Sequence, residues 1–404
     1  MIEIVIGVLL GVLLGTISGL VPGVHANTLA GILLGAQAIL LAILGPLALA
    51  GAMFAALITH TFVDAVPSTF LGVPDADTSL SVLPAHALCL EGNGEEAVRI
   101  AALGSACAII IAIPLSVLCY IFLPALQPYF DWGIGILIVA VIGYMIVMSE
   151  SPGWALAIFA VSGLLGVFAM RYEFLGWHTL GGETAILMPL LTGLFGISVL
   201  LVASQGTLPG QHYRGLRVEN GTVVKCSVLG TLAGIAVGWL PGLSMATANG
   251  ALASVIGYKK DRRAYILATS AANTANAFIG LAALFALSRM RNGVMVAIAE
   301  LPLPSMSELM IVGVLAACLA YVITVCLSRS AGWLTGINGR MLNRAVIIFV
   351  VGLCIVLTGP FGIFILILAT ILGLVPHIVN VSRVYCMGAI MIPVILYSFG
   401  LAWV

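Results

Sequence analysis

The chain has 404 residues, of which 62% are hydrophobic and 7% charged, and 15 basic residues balance 15 acidic ones. A soluble domain carries about 25% charged residues, so this composition excludes an ordinary soluble fold. Charge neutrality leaves no polybasic footprint, which excludes nucleic acid as a partner and anionic lipid headgroups as an anchor.

With a mean hydropathy of +1.22 and roughly 20 residues per crossing, the chain has room for about ten to twelve membrane segments. The expected class is an all-α polytopic integral membrane protein in contact with membrane lipids. The first apolar stretch covers residues 2–21. Its start, MIEIVIGVLL, has an acid and no Lys or Arg, so it reads as a retained span rather than a signal peptide. The next stretches run over 24–43 and 45–63.

Residues 15–31 read GTISGLVPGVHANTLAG, with Pro22-Gly23 in the middle of an apolar helical pattern. Proline removes a backbone donor and glycine loosens the backbone, so the helix breaks there. The phrase returns 219 residues later as GIAVGWLPGLSMATANG (234–250), with matches at Gly15/Gly234, Gly19/Gly238, Pro22/Pro241, Gly23/Gly242, Thr28/Thr247 and Gly31/Gly250. In lipid a broken helix is tolerated only where protein or a water-filled cavity covers its freed polar groups. Two broken segments in matching positions of two halves point to the binding site of a secondary transporter.

Further apolar stretches cover 98–124, 132–149, 153–170 and 184–203. The polar segment 205–225 then divides the chain into an N-terminal membrane repeat (1–204) and a C-terminal one (226–404). The second repeat opens with 226–240 and 243–256. The first of these is ~22 Å long as a helix, short of a ~30 Å hydrocarbon core. Together they form a helical hairpin, either re-entrant or a tight pair of crossings. Arg214, Arg217 and Lys225 precede it; Lys259, Lys260, Arg262 and Arg263 follow it. Positive loops face the cytoplasm, so both flanks belong on that side of a cell membrane. If the first hairpin enters from the outer face, the halves are inverted repeats.

After its hairpin each half carries polar residues amid apolar ones. The first has His60, Asp64, Asp75 and Asp77; the second has Asn273, Thr274, Asn276, Arg289 and Arg291. Aligning Leu71 with Leu287, an offset of 216, sets Asp75 against Arg291. A charged side chain at the centre of a spanning helix costs roughly 2.5–3.5 kcal/mol. Either these groups frame a shared site, or they lie at the interface as topology anchors. His60 and Asp64, at i and i+4, share a helix face; they suit a coupling H+ or Na+, or an ordinary buried hydrogen bond.

Asn27, Thr28, Thr247 and Asn249 fall in the first turn after each break. There they cap the half-helix, and the N–H groups following Gly23 and Gly242 offer a place for a carboxylate or phosphate. His25 stands where the second copy has Ser244. The expected substrate site is therefore Gly23, His25, Asn27, Thr28, Gly242, Ser244, Thr247, Asn249, Asn273, Arg289 and Arg291, with His60, Asp64, Asp75 and Asp77 for ion coupling. The 8 cysteines are dispersed without a CxxC pair, which argues against a metal site. No HExxH, GxSxG or P-loop motif occurs, so neither an enzyme nor a cofactor is expected.

These residues resemble the large membrane subunit of the tripartite tricarboxylate transporters, the TctA-type permeases, in particular their shorter archaeal branch. The likeness rests on PGVHANT and PGLSMAT, on LGVPDADTSLSVLPAHALCLEGNGEEAVRIAALGS (71–105), on GLFGISVLLV (193–202) and on AANTANA (271–277). The resemblance implies a permease that moves small carboxylates down an ion gradient, with a small membrane subunit and an extracytoplasmic binding protein as partners. Self-assembly into a homo-oligomer is compatible with this plan. The chain departs from the family pattern at Val24-His25, at Val73-Pro74-Asp75 and at Arg289-Met290-Arg291. The Pro-Gly repeats also resemble, more distantly, membrane proteins that return polyprenyl-phosphate carriers across the bilayer. A lipid-phosphate translocase is thus the alternative.

The charge pattern yields a first test. Loops 205–225 and 257–263 hold seven of the chain's 15 Lys and Arg residues, so cysteines introduced at Gly210 and Asp261 should resist an impermeant thiol reagent in intact cells. Labelling of either from outside refutes the assignment.

Overall fold

A computed structural model describes the chain apart from residues 22–23, 25, 73–81, 178–185, 203–208, 241–244, 258–260, 331–338 and 402–404, and the described residues contain helices and no strand. The N-terminal half holds α1 (Ile2–Leu20), α2 (Ala26–Gly35), α3 (Gln37–Leu44), α4 (Pro46–Val63), α5 (Ala65–Leu71), α6 (Val82–Leu90), α7 (Gly94–Val147), α8 (Pro152–Arg171), α9 (Leu187–Leu191) and α10 (Ser198–Val202). The C-terminal half holds α11 (Asn220–Trp239), α12 (Met245–Leu252), α13 (Arg262–Leu287), α14 (Gly293–Ala299), α15 (Met306–Ser330), α16 (Gly339–Ile378) and α17 (Gly388–Ser398).

Among the described residues, eight helical stretches are long and apolar enough to cross a membrane. That is fewer than composition alone allows, because several apolar stretches form short helices. α2 has 10 residues, and α3 and α12 have 8 each; at 1.5 Å per residue they reach about half of a bilayer core or less. The last six residues of the polar segment 205–225 are helical, since α11 already begins at Asn220.

Small residues set the packing. Along α1, Gly7 faces Ala48, Gly11 faces Ala52 and Ala55, Gly15 faces Ala56 and Thr59, and Gly19 faces Val63. A spacing of four places these glycines on one face, where the missing side chains let two backbones approach. A β-carbon at Gly15 would lie 2.5 Å from the Ala56 carbonyl oxygen, and one at Gly19 would lie 2.8 Å from Val63 Cβ. The contacts advance together along both helices, so α1 and α4 run parallel.

α11 and α13 pack in the same way. Gly230 faces Ala268 and Ala271, Gly234 faces Ala272 and Ala275, and Gly238 faces Ile279. These glycines stand 219 residues after Gly11, Gly15 and Gly19, and their partners stand 216 after those of the first pair. In both pairs the second helix starts at the end where the first one started. The chain between them, α2–α3 or α12, must therefore travel back.

The two pairs meet through α4 and α13. Phe54 packs edge-on against Phe278 with ring centroids 5.7 Å apart, and the Thr61 and Thr274 hydroxyls are 3.1 Å apart. Position rises along α4 as it falls along α13, so these helices cross antiparallel. Each half also lends a long helix to the other: α15 packs on α4 and α1, and α7 packs on α13 and α11.

One end of the molecule is tied by polar contacts. Residues 211–212 lie along the turn before α7. Gln211 accepts from the Gly94 N–H at 2.8 Å and donates to the Cys89 carbonyl at 3.1 Å, and the His212 N–H donates to the Gly92 carbonyl at 2.8 Å. Glu96 is buried; it accepts both Nε and Nη2 of Arg263 at 2.9 Å and the Arg217 N–H at 2.9 Å. Asp261 caps α13 by accepting from the Ala264 N–H at 3.0 Å. Arg217, before α11, and Arg263, at the start of α13, thus meet at Glu96.

Two stability outcomes follow from this packing. Gly15→Val and Gly234→Val each force a side chain into a neighbouring backbone, and overpacking of this kind costs about 1–3 kcal/mol or more. Gly143→Ala, with open space around its position, should leave the unfolding midpoint in detergent unchanged or raised. Glu96→Gln breaks a buried bidentate pair, a loss toward the low end of about 3–5 kcal/mol because Arg263 keeps partial exposure. Glu91→Gln removes only an exposed pair with Arg262, worth about 0–1 kcal/mol. Equal effects of the two glutamate substitutions in a thermal-shift measurement would sink the contrast.

Candidate functional site

The stretch formed by α4 and α5 is the most buried of the eight candidate spans, yet it carries Thr59, His60, Thr61, Asp64, Ser68 and Thr69 in the interior. A polar group buried at membrane depth must find partners within the protein. His60 Nδ1 lies 3.0 Å from the Ser18 hydroxyl on α1. Thr61 donates to the Ile58 carbonyl at 2.8 Å and faces Thr274. Asp64 joins α4 to α5 without leaving the right-handed helical region, and its N–H donates to the His60 carbonyl at 3.0 Å.

Beside this junction lies a small cavity of about 20 Å³, lined by Thr61, Asp64, Ser68 and Thr69 on one side and Ser270 and Asn273 on α13 on the other. Ala85 of α6 and Ala101 of α7 help to close it. Its size matches about one water molecule. Asp64, Ser68, Thr69 and Asn273 are all buried.

A second polar group forms where α13 ends. Ser288 adopts a left-handed conformation (φ 50°) and turns the chain into Arg289–Asn292. Arg291 Nη2 donates to the Val237 carbonyl at 2.8 Å, and Arg289 Nη1 reaches the Trp239 carbonyl at 3.4 Å. These carbonyls belong to the last turn of α11, directly before the Pro241-Gly242 break. Such a terminus presents unsatisfied acceptors and the negative end of the helix dipole, which guanidinium groups complement.

The same turn touches the first hairpin. Asn27, on α2 just past the first break, accepts from the Val294 N–H at 3.2 Å and packs against Gly293. Asn292 accepts from the Met295 N–H at 2.9 Å and caps α14. Residues 289–294 therefore connect the helix that follows the first break to the helix that precedes the second.

Of the site residues expected from sequence, Asn27, Arg289 and Arg291 meet at this turn, while Asp64 and Asn273 meet at the cavity. His60 is one helical turn from Asp64 and bonds α1. Asn249 is buried on α12, where its backbone carbonyl accepts from the Tyr265 hydroxyl at 2.9 Å. Thr28 and Thr247 occupy helical positions in α2 and α12. Gly23, His25, Asp75, Asp77, Gly242 and Ser244 lie outside the described residues. The sequence reading passed over Ser18, Thr61, Ser68, Thr69 and Ser270. A signal was present: Thr61, Asp64 and Ser68 fall at i, i+3 and i+7, one face of a helix. Among the described residues no three His, Cys, Asp or Glu side chains converge as a metal site, and the cysteines carry no disulfide.

Comparison with known proteins fits this architecture. The family model described as the tripartite tricarboxylate transporter TctA family matches residues 5–388. An uncharacterized protein of Methanocaldococcus jannaschii is 29% identical over 241 residues, covering 59% of this chain and 58% of that protein. The match thus spans less than two thirds of that relative's length. No solved structure matches. A family match over nearly the whole length, on a chain with eight apolar helices of spanning length, places this multi-pass membrane protein in the tripartite tricarboxylate transporter TctA family.

Proposed function

We propose that the protein is a secondary active transporter of a small di- or tricarboxylate in the cytoplasmic membrane, coupled to H+ or Na+. In this reading the two halves are inverted repeats, and the anion is held between the broken hairpins. The observation that carries it is the turn 289–294, which links Asn27 beyond the first break to the end of α11 before the second. The antiparallel crossing of α4 and α13 supports the inverted relation, because inverted repeats bring their hairpins together from opposite faces.

Roles follow from position. The N–H groups after Gly23 and Gly242 receive the carboxylates, assisted by Asn27, Thr28, Thr247 and Asn249, with His25 and Ser244 at the breaks. A guanidinium has five donors, so Arg289 and Arg291 hold the α11 carbonyls and still offer N–H groups and charge to an anion. Asn273, His60 and Asp64, with Asp75 and Asp77, serve substrate and ion coupling. A small membrane subunit and an extracytoplasmic binding protein would deliver substrate, in keeping with the family description.

Uptake of labelled citrate into proteoliposomes tests the proposal. A hydrogen bond to a charged group contributes about 1.5–3 kcal/mol, so Asn27→Leu or Thr28→Val should weaken apparent affinity by roughly 10- to 100-fold. Arg291→Gln should cost more than Arg291→Lys, which keeps the charge. Arg214→Gln, at an exposed position, should change little. Uptake unaffected by the substitutions at the breaks would move the site elsewhere. Preferential binding of a polyprenyl phosphate over citrate would overturn the substrate class.

A further inference from the structure

We propose that the chain has a second arrangement in which α9 packs on α2 at Gly31, as residues 383–387 now pack on α12 at Gly250, and that the two contacts alternate. Gly31 and Gly250 are the same position of the 219-residue repeat, yet their surroundings differ. A β-carbon at Gly250 would lie 3.0 Å from Met145 Cε and 3.6 Å from Val384 Cγ1. Gly31 is exposed, and among the described residues nothing lies within 4 Å of a β-carbon built there. One hairpin is covered where the other is bare.

A second pair of offsets names what fits the bare position. Gly388 faces Phe159 and Ser162 of α8, and Gly193 faces Leu366 and Ala369 of α16; the glycines stand 195 residues apart and their partners 207. The reciprocal contacts keep the same offsets, since Gly166 faces Ala389 and Gly373 faces Leu194. Each half therefore lends its last segment to the other: α9 and α10 pack on α16, and α17 packs on α8. At the offset of 195 the counterpart of Val384 is Pro189 in α9, and that of Arg383 is Met188. Pro189 is thus the side chain for which the space at Gly31 is left.

The exchanged segments are fitted too closely to slide. A β-carbon at Gly193 would lie 2.5 Å from Ala369 Cβ, and one at Gly373 would lie 2.5 Å from the Leu194 carbonyl oxygen. Phe168 of α8 joins the two sides, with ring centroids 6.2 Å from Phe361 and 6.4 Å from Phe364. So α8, α9, α10, α17 and the part of α16 after Gly359 move as one body. Its apolar interior takes in Trp239, Leu240, Ile279 and Ala283 from the ends of α11 and α13 and, among the described residues, none from α1 or α4. Those two pairs carry the same glycine ridges, so the body leans on one copy of a surface that the molecule makes twice. Two like seats for one body favour two states close in free energy.

In the second arrangement Pro189 enters the space at Gly31 while Val384 leaves Gly250. Small residues let such contacts form and part in lipid, where association rests on close packing and not on a hydrophobic drive. The exchange rests on the inverted-repeat reading above. On the transport reading it shifts the cover from the flank of the second hairpin to that of the first.

The test uses the full-length protein in nanodiscs, with the exposed Cys318 and Cys326 replaced by Ala and cysteines introduced in pairs. Bonds formed under copper phenanthroline are mapped by peptide mass spectrometry. Gly250→Cys with Val384→Cys should close, reporting the present arrangement. Gly31→Cys with Pro189→Cys should close as well, whereas Gly31→Cys with Val384→Cys should not. Should Pro189→Cys not fold, Met188→Cys carries the same expectation with a short bifunctional thiol reagent. With all four cysteines present, closing one bond should exclude the other from the same molecule. Both bonds in one molecule, or failure of either pair to close in folded protein, overturns the exchange. In proteoliposomes, closing the Gly250–Val384 pair should abolish citrate uptake, and reductant should restore it. Uptake that persists with the bond closed would remove the exchange and leave the transport reading standing. Alternating bonds without any citrate uptake would do the reverse.

Discussion

A broken helix in a membrane exposes backbone donors and acceptors to a medium that cannot satisfy them, and the described architecture is organised around that constraint. The ends of α1 and α11 are held close to protein by glycine ridges that draw each helix onto a parallel neighbour. At α11 the freed carbonyls are met by two arginines. Lipid supplies no hydrophobic drive between helices, so close backbone packing and internal polar contacts carry the association. Glycine at every fourth position is what makes that packing available.

From this packing the functional geometry follows. Two parallel pairs running in opposite directions bring the polar middle of α4 against the polar middle of α13, with Thr61 touching Thr274. The arginine turn beyond α13 reaches both hairpins, while Asp64 and Asn273 line a separate cavity. Among the described residues, Arg289 and Arg291 therefore lie apart from the cavity that Asp64 lines. On the transport reading, the cationic turn is the place for the carboxylate.

Much of this was legible in the residues. The 219-residue offset reappears in the glycine ridges of α1 and α11, and the offset of 216 that aligns Leu71 with Leu287 reappears in the partners of those ridges. Clustered Lys and Arg marked the end where Arg217 and Arg263 converge on Glu96. What escaped was long-range pairing. Nothing local in TFVDAV or TSAANTANA says that Asp64 and Asn273 share a cavity, because that contact depends on an antiparallel crossing more than 200 residues apart in the chain. The arginines were read as groups of a shared site or as topology anchors; their hold on the α11 carbonyls becomes visible only when the end of α11 is placed beside them. Glu96 went unremarked because a glutamate near a helix start usually reads as a solvated dipole partner.

The central claim is that the two broken hairpins frame one anion site. A density map of the purified protein with citrate present tests it most directly. The account predicts citrate within hydrogen-bond distance of the backbone after Gly23 and Gly242, with Arg289 or Arg291 beside it. Citrate density away from both breaks, or on only one of them with the other facing lipid, would contradict it.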